Sequence, residues 1–222
     1  MPRSTILPVG FYARPTLEVA RDLVGKVLVH RGADGVTSGR IVETEAYIGE
    51  ADPACHAFKG RTPRNDPLYG PPGLAYVYVS YGLHHLLNAV TEYDGFPSAV
   101  LIRALEPLEG VALMRTRRAA VSGLPAPVRD TDLGRGPGNL TVAMGISTPV
   151  HNTRMLTSGI LTVRDDGTAP AAVVWTPGIG VTVGADRLWR CATPDSRAVS
   201  GIRGWLARGA GTPVPPSDGR RC

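Results

Sequence analysis

Residues 39–47, Gly-Arg-Ile-Val-Glu-Thr-Glu-Ala-Tyr, read as a strand, and the alternation of side chains along a strand puts Glu43, Glu45 and Tyr47 on one face. Two acids side by side on a strand are unfavourable unless the face is wet, paired or functional. The chain must therefore build a sheet that answers these carboxylates. An ordinary solvated strand face and a catalytic acid pair fit the spacing equally well, and the spacing does not choose between Glu43 and Glu45.

A second charge narrows the choice. Arg103 stands among Leu101, Ile102, Ala104 and Leu105, in an apolar run read as a strand over residues 99–105. A guanidinium there needs a buried anion, and one of the two glutamates is the evident partner. The pair serves as a structural ion pair or as a carboxylate kept ionised to hold a water.

The rest of the chain alternates short elements with punctuation. Pro15 and Thr16 open a helix over residues 16–24, where Leu17, Ala20, Leu23 and Val24 recur at helical spacing and Gly25 ends it. Residues 26–30 form a strand joined to 39–47 through a turn at 32–35. Residues 49–73 are dense in Gly, Pro, Asp and Asn, too long for an ordinary connection, and read as a functional segment or an ordered Ω-type loop. Residues 74–80 and 83–91 make a hairpin with Tyr81-Gly82 at its turn. Pro107 is placed at the start of a helix running through Val111 and Met114 to Arg115, Arg117 and Arg118. A Pro/Gly/Arg-rich surface loop, a helix at about residues 139–145 and strands at 159–163, 171–174 and 180–183 complete the reading.

Length and 43% hydrophobic content suit one substantial core over residues 1–200, with Pro213, Pro215, Pro216, Arg220 and Arg221 marking 201–222 as a flexible tail. The net charge of +5 fits a polyanionic partner without specifying one. Lys26 and Lys59 are the only lysines, so the positive charge is nearly all arginine. Cys55, Cys191 and Cys222 are too widely spaced for a zinc or iron–sulfur site, which points to a reducing compartment and no metal. The first twenty-five residues contain no apolar run long enough for a secretory signal or a membrane span, so a soluble intracellular protein is expected.

Aromatic and imidazole groups supply further candidates. Tyr76, Tyr78 and Tyr81 crowd one hairpin. For Tyr76 a cross-strand core contact is the simpler reading, whereas Tyr81 at a turn tip is an unusual turn residue and fits a wedge between base steps. A lone His56 is more often structural than catalytic, and the adjacent His84 and His85 point to opposite faces and make a poor metal pair.

With these blocks in view, residues 39–47 resemble the alkyladenine (3-methyladenine) DNA glycosylase family. The resemblance extends through Leu23-Val24-Gly25-Lys26-Val27-Leu28-Val29, Thr62-Pro63-Arg64-Asn65, Gly70-Pro71-Pro72-Gly73, Tyr76-Val77-Tyr78, Tyr81-Gly82, Arg103-Ala104-Leu105-Glu106-Pro107-Leu108-Glu109-Gly110 and Gly136-Pro137-Gly138-Asn139-Leu140. In order and spacing it covers roughly residues 10–200. It departs from the common pattern at Cys55, where serine is usual, at Leu68-Tyr69, and at Leu83, where methionine is frequent.

The resemblance implies a mixed α/β (α+β) single domain: a curved antiparallel β-sheet, a protruding β-hairpin and flanking helices. It implies that Glu45 deprotonates the attacking water with Arg103 helping to hold it. By the same resemblance Tyr47 and His56 sandwich the flipped base, Tyr78 forms a third wall and Asn88 excludes normal guanine by clash. Tyr81, with Leu83 beside it, fills the gap left in the duplex. The implied activity is hydrolysis of the N-glycosidic bond of alkylated or deaminated purines in double-stranded DNA. No amine is placed for a Schiff base, so a monofunctional enzyme without lyase activity is expected, and no cofactor or metal is expected. A monomer in the bacterial cytoplasm at the nucleoid, or in the nucleus of a eukaryote, completes the expectation. The competing readings are a catalytically silent DNA-binding module of the same fold and a carbohydrate hydrolase using Glu43 and Glu45 as its acid pair.

Overall fold

The computed structural model describes residues 4–122, 128–184, 186–201 and 204. In chain order these form β1 (Thr5–Ile6), α1 (Val9–Tyr12), α2 (Thr16–Leu23), β2 (Val27–Gly32), β3 (Gly35–Ile48), a 3-10 turn (Asp66–Tyr69), β4 (Ala75–Ser80), β5 (His84–Val90) and β6 (Ser98–Glu109). There follow α3 (Val111–Ser122), α4 (Asp130–Leu133), α5 (Pro137–Met144), α6 (Thr148–His151), β7 (Leu161–Asp165), β8 (Val174–Thr176) and β9 (Arg190–Ala192).

Helix α2 forms because Leu17, Val19, Ala20 and Leu23 give it a side to bury, and Gly25, at φ +92°, lets the chain leave it for β2. Its first turn is tied down by Glu92, whose Oε1 accepts from the Thr16 backbone N–H at 2.8 Å and the Thr16 hydroxyl at 2.7 Å. The Thr44 hydroxyl of β3 donates to the Ala20 carbonyl at 2.8 Å, which docks the helix on the strand. One face of β3 is thereby spent on the core, and the face bearing Glu43, Glu45 and Tyr47 is left for the site.

The strands pair antiparallel in the order β1-β7-β2-β3-β6-β5-β4 without closing, and β8 and β9 form a further pair. The fourteen-residue β3 is the spine. It pairs with β6 from Ser38 to Ile48. On its other edge β2 takes residues 35–40 and β9 takes 43–45. Register shifts interrupt the β3–β6 ladder between Ile41 and Glu43 and again between Glu43 and Thr44, where Ala104 and Ile102 are paired but Arg103 is not. These irregularities are β-bulges, which bend a strand and re-aim its side chains. Here they put the Arg103 guanidinium between the two glutamates.

The mixed α/β class, the antiparallel sheet, the helix at 16–24 and the hairpin agree with the sequence reading. Three details differ. Pro107 belongs to β6, not to a helix start: it lies opposite Gly39 beside a register shift, where a residue without an N–H is tolerated. The helix start falls to Gly110, at φ +73°, whose carbonyl accepts from Met114 at 2.9 Å and where a Cβ would collide with the Val36 carbonyl. Residues 180–183 form no strand but belong to a loop over the site, and the sheet gains β9 instead. Most of the expected tail, 201–222, lies outside the described residues.

Candidate active site

The loop over residues 49–73 is held by two buried polar side chains. Asp52 accepts from the backbone N–H groups of Ile48 (3.0 Å) and Ala54 (3.1 Å) and from Arg187 (3.0 Å). Asn65 receives the Thr62 N–H at 2.6 Å and donates to the carbonyls of His56 and Gly60, each at 2.9 Å. The loop is thus ordered, and it carries His56 to one wall of a cavity of about 780 Å³, a size suited to a small organic group.

Into this cavity the structure brings Tyr47 from β3, Tyr76 and Tyr78 from β4, Asn88 from β5 and Arg103 from β6. The Tyr76 and Tyr78 rings stack at 5.3 Å, and His56 meets Tyr78 edge-on at 4.4 Å. His56 Nδ1 lies 3.0 Å from the Tyr76 hydroxyl, which orients the imidazole. Desolvation in the cavity wall, and then the Arg64 cation, hold the His56 pKa below its ordinary value. Burial pushes the Tyr78 hydroxyl up to about 12. His56 and Tyr78 are therefore neutral at physiological pH. The Asn88 amide nitrogen donates to the Tyr76 carbonyl at 3.1 Å, so that side chain is fixed from below.

Glu45 lies just beneath the cavity, 2% exposed. Its Oε1 accepts the Tyr47 hydroxyl at 2.7 Å; its Oε2 faces Arg103 Nη1 at 2.8 Å and the Ile179 N–H at 3.4 Å. A carboxylate offers about four acceptor sites, so three donors leave one for a further proton. Burial, and then the carboxylate of Glu45, raise the Tyr47 pKa, which keeps its hydroxyl a donor. The backbone at Gly178 passes so close that a Cβ there would stand 2.9 Å from Glu45 Oε1.

Glu43 plays another part. It is fully buried, and its Oε1 is shared by Arg103 Nε at 2.9 Å and Arg190 Nε at 2.7 Å. Arg103 thus pairs with both glutamates, not with one. With Glu43 enclosed by two guanidinium groups, the acid pair of a carbohydrate hydrolase is not formed.

At the rim, Tyr81 is 94% exposed and Leu83 78%. The Leu83 N–H donates to the Ser80 carbonyl at 3.0 Å around a turn whose central residues, Tyr81 and Gly82, have φ of +49° and +71°. A bulky residue in the left-handed region is strained, and the strain presents its ring to solvent.

Tyr47, His56, Tyr78, Asn88 and Arg103 thus meet at one cavity, with Glu45 below it and Tyr81 on its rim. Leu83 stands beside the tip rather than in the cavity. Sequence reasoning missed Arg190 and the loop of residues 177–183, whose strand-like composition concealed its position. It also passed over Arg64, which lines the cavity and braces the hairpin through the Val79 carbonyl at 3.0 Å. Cys55, the departure noted beside His56, lines the cavity and is buried, its thiol pushed up to about 12 by that burial.

Residues 10–197 match the family model described as methylpurine-DNA glycosylase (MPG). Similar proteins bear the name "Putative 3-methyladenine DNA glycosylase". One from Methanocella arvoryzae is 49% identical over 198 residues, 88% of this chain and 96% of its own. Another from Chlorobium phaeobacteroides is 46% identical over 192 residues, 86% of this chain and 93% of its own. A third, from Prosthecochloris aestuarii, is 40% identical over 212 residues, 95% of this chain and 94% of its own.

Proposed function

The chain belongs to the methylpurine-DNA glycosylase family, and from that premise we propose that it excises alkylated or deaminated purines from duplex DNA by base flipping, with Glu45 activating the attacking water. A DNA glycosylase is a hydrolase, and the finer assignment rests on one observation: an enclosed carboxylate with an acceptor site to spare, directly below an aromatic cavity.

The exposed Tyr81 enters the stack as the damaged nucleotide leaves it, with Leu83 alongside. Unstacking costs a few kcal/mol, least for damaged or mismatched bases, so selection begins before the cavity is reached. Tyr47, His56 and Tyr78 offer π-faces to the extruded base, which favours the electron-poor rings of alkylated purines. Asn88, fixed by its bond to Tyr76, excludes the exocyclic amine of normal guanine.

Water attacks C1′ as the C1′–N bond breaks. Its proton passes to Glu45, and the bonding electron pair leaves with the base, so a cationic alkylpurine departs neutral. The Glu45 carboxylate also stabilises the oxocarbenium character of the sugar, and Arg103 holds that carboxylate in place. Among the described residues no lysine lines the cavity: Lys26 pairs with Asp165 at 2.6 Å, and Lys59 is exposed on the loop. This supports a reading in which no Schiff base forms and the product is an intact abasic site.

The test is single-turnover base release from methylated DNA and from duplexes carrying one hypoxanthine or ethenoadenine, with strand nicks scored before and after alkali. Release with nicks only after alkali supports the reading. Tight lesion binding without release from any substrate makes the chain a silent DNA-binding module.

A further inference from the structure

Four buried charges of alternating sign cross the sheet below the cavity: Arg190 on β9, Glu43 and Glu45 on β3, and Arg103 on β6. Their exposures are 1%, 0%, 2% and 5% respectively. Glu43 Oε1 takes Arg190 Nε on one side and Arg103 Nε on the other, and Arg103 Nη1 goes on to Glu45 Oε2. In register Arg190 stands directly opposite Glu45, yet its guanidinium runs diagonally to Glu43. Thr176, at 2.9 Å, and the Ser200 carbonyl hold it there. Such a diagonal is within reach of a long side chain.

We infer that Arg190 is a positioning residue for the catalytic pair: by satisfying Glu43 it leaves Arg103 free to hold Glu45. The inference rests on the reading of Glu45 as the base. Two cations and two anions make the row neutral. Without Arg190 two buried carboxylates compete for one guanidinium, and burial does not tolerate an unpaired carboxylate. Arg103 is then divided between Glu43 and Glu45, at the expense of the base. The other titratable groups facing the glutamates do not compensate. The hydroxyl of Tyr47, on β3, is raised by burial, and that of Tyr78, on β4, is pushed up to about 12. Cys191, next to Arg190 on β9, is buried in the apolar core instead of facing the glutamates, and its thiol is pushed up to about 12. All three stay neutral.

The experiment measures single-turnover release against pH for wild type, Arg190→Gln, Arg190→Lys, Glu43→Gln and the double variant Glu43→Gln/Arg190→Gln. Lesion-DNA affinity and thermal midpoints are followed alongside. Arg190→Gln is expected to move the acid limb up by about one pH unit or more and to slow release at pH 7 by about tenfold or more, with DNA affinity nearly unchanged. Arg190→Lys recovers part of this. The double variant is neutral again and returns the acid limb toward wild type, a coupling that a merely structural arginine does not produce. A uniform loss of rate with an unmoved limb, or a double variant equal to the product of the singles, overturns the inference. Should Arg190→Gln fail to fold, Glu43→Gln carries the test: with one surplus cation its acid limb moves to lower pH, and an unmoved limb overturns the inference. A wild type that releases no base defeats the proposed activity instead, which is a separate result.

Discussion

The Tyr47 hydroxyl donates to Glu45 Oε1 at 2.7 Å, joining a wall of the cavity to the carboxylate beneath it two residues away on the same strand. In the proposed mechanism a base stacked on Tyr47 rests on the side chain that orients the Glu45 carboxylate.

Glu45→Gln removes the proton acceptor and keeps the shape. Release is expected to fall by about a thousandfold or more, with lesion-DNA affinity within a few-fold of wild type. Single-turnover kinetics and a binding titration check both halves; wild-type turnover in this variant removes Glu45 from the mechanism.

Tyr47→Phe keeps the ring and deletes the hydroxyl. Stacking survives while Glu45 loses one of its three donors, so the release rate should drop by about tenfold with little change in DNA affinity. An equal loss in binding and rate would place the hydroxyl on the substrate instead.

At Tyr81 the two properties should move in opposite directions. Glycine at φ +49° relieves strain of about 1 kcal/mol and removes the exposed ring. Tyr81→Gly should therefore raise the denaturant midpoint and lower excision from duplex DNA, with a smaller loss on single-stranded substrate. A variant that loses stability, or excises duplex lesions as well as wild type, contradicts the strained-wedge account.

Acid sensitivity is expected at a histidine pair that does not line the cavity. His151 Nε2 lies 2.9 Å from His30 Nε2, both rings are buried, and His30 Nδ1 faces the Met144 carbonyl at 2.7 Å. Donation from Ser147 N–H to His151 Nδ1 at 3.1 Å completes a chain in which both rings are neutral. Desolvation lowers both pKa values, Arg117 lowers His30 and Arg154 lowers His151 further, and these outweigh the hydrogen bonds to the Met144 and Ser147 carbonyls. The unfolded chain takes up these protons first. Stability is thus full above the unfolded histidine value of about 6.5 and is lost as pH falls below it, by up to about 1.4 kcal/mol per unit for each ring. Urea midpoints at pH 7.5 and 5.5 should fall for wild type and less for His151→Asn; equal falls exclude the pair as the cause.

Much of the fold was legible because residues 16–24, 39–47 and 74–91 carry their own periodicity and punctuation. The Glu–Arg pairing was legible too, since a charge inside residues 101–105 has to find a partner. The bulges that let Arg103 serve both glutamates have no local signature. Arg190 stands 147 residues from Glu43, and nothing in its neighbourhood announces a buried cation. Residues 180–183 have strand-like composition, yet they line the cavity, just after the Ile179 N–H that reaches Glu45. Pro107 misled for a related reason: its ring suits a helix start, but the bulge beside Gly39 also accepts a residue without an N–H.

The double clamping of β3 has a consequence for motion. Strands β6 and β9 hydrogen-bond to its two edges across residues 43–45, so the amides there should exchange with deuterated solvent only when much of the sheet opens. The hairpin tip has no such restraint and should exchange orders of magnitude sooner. Under the proposed function, the part that would search DNA is free to yield, and the part that would aim the water stays still while it does.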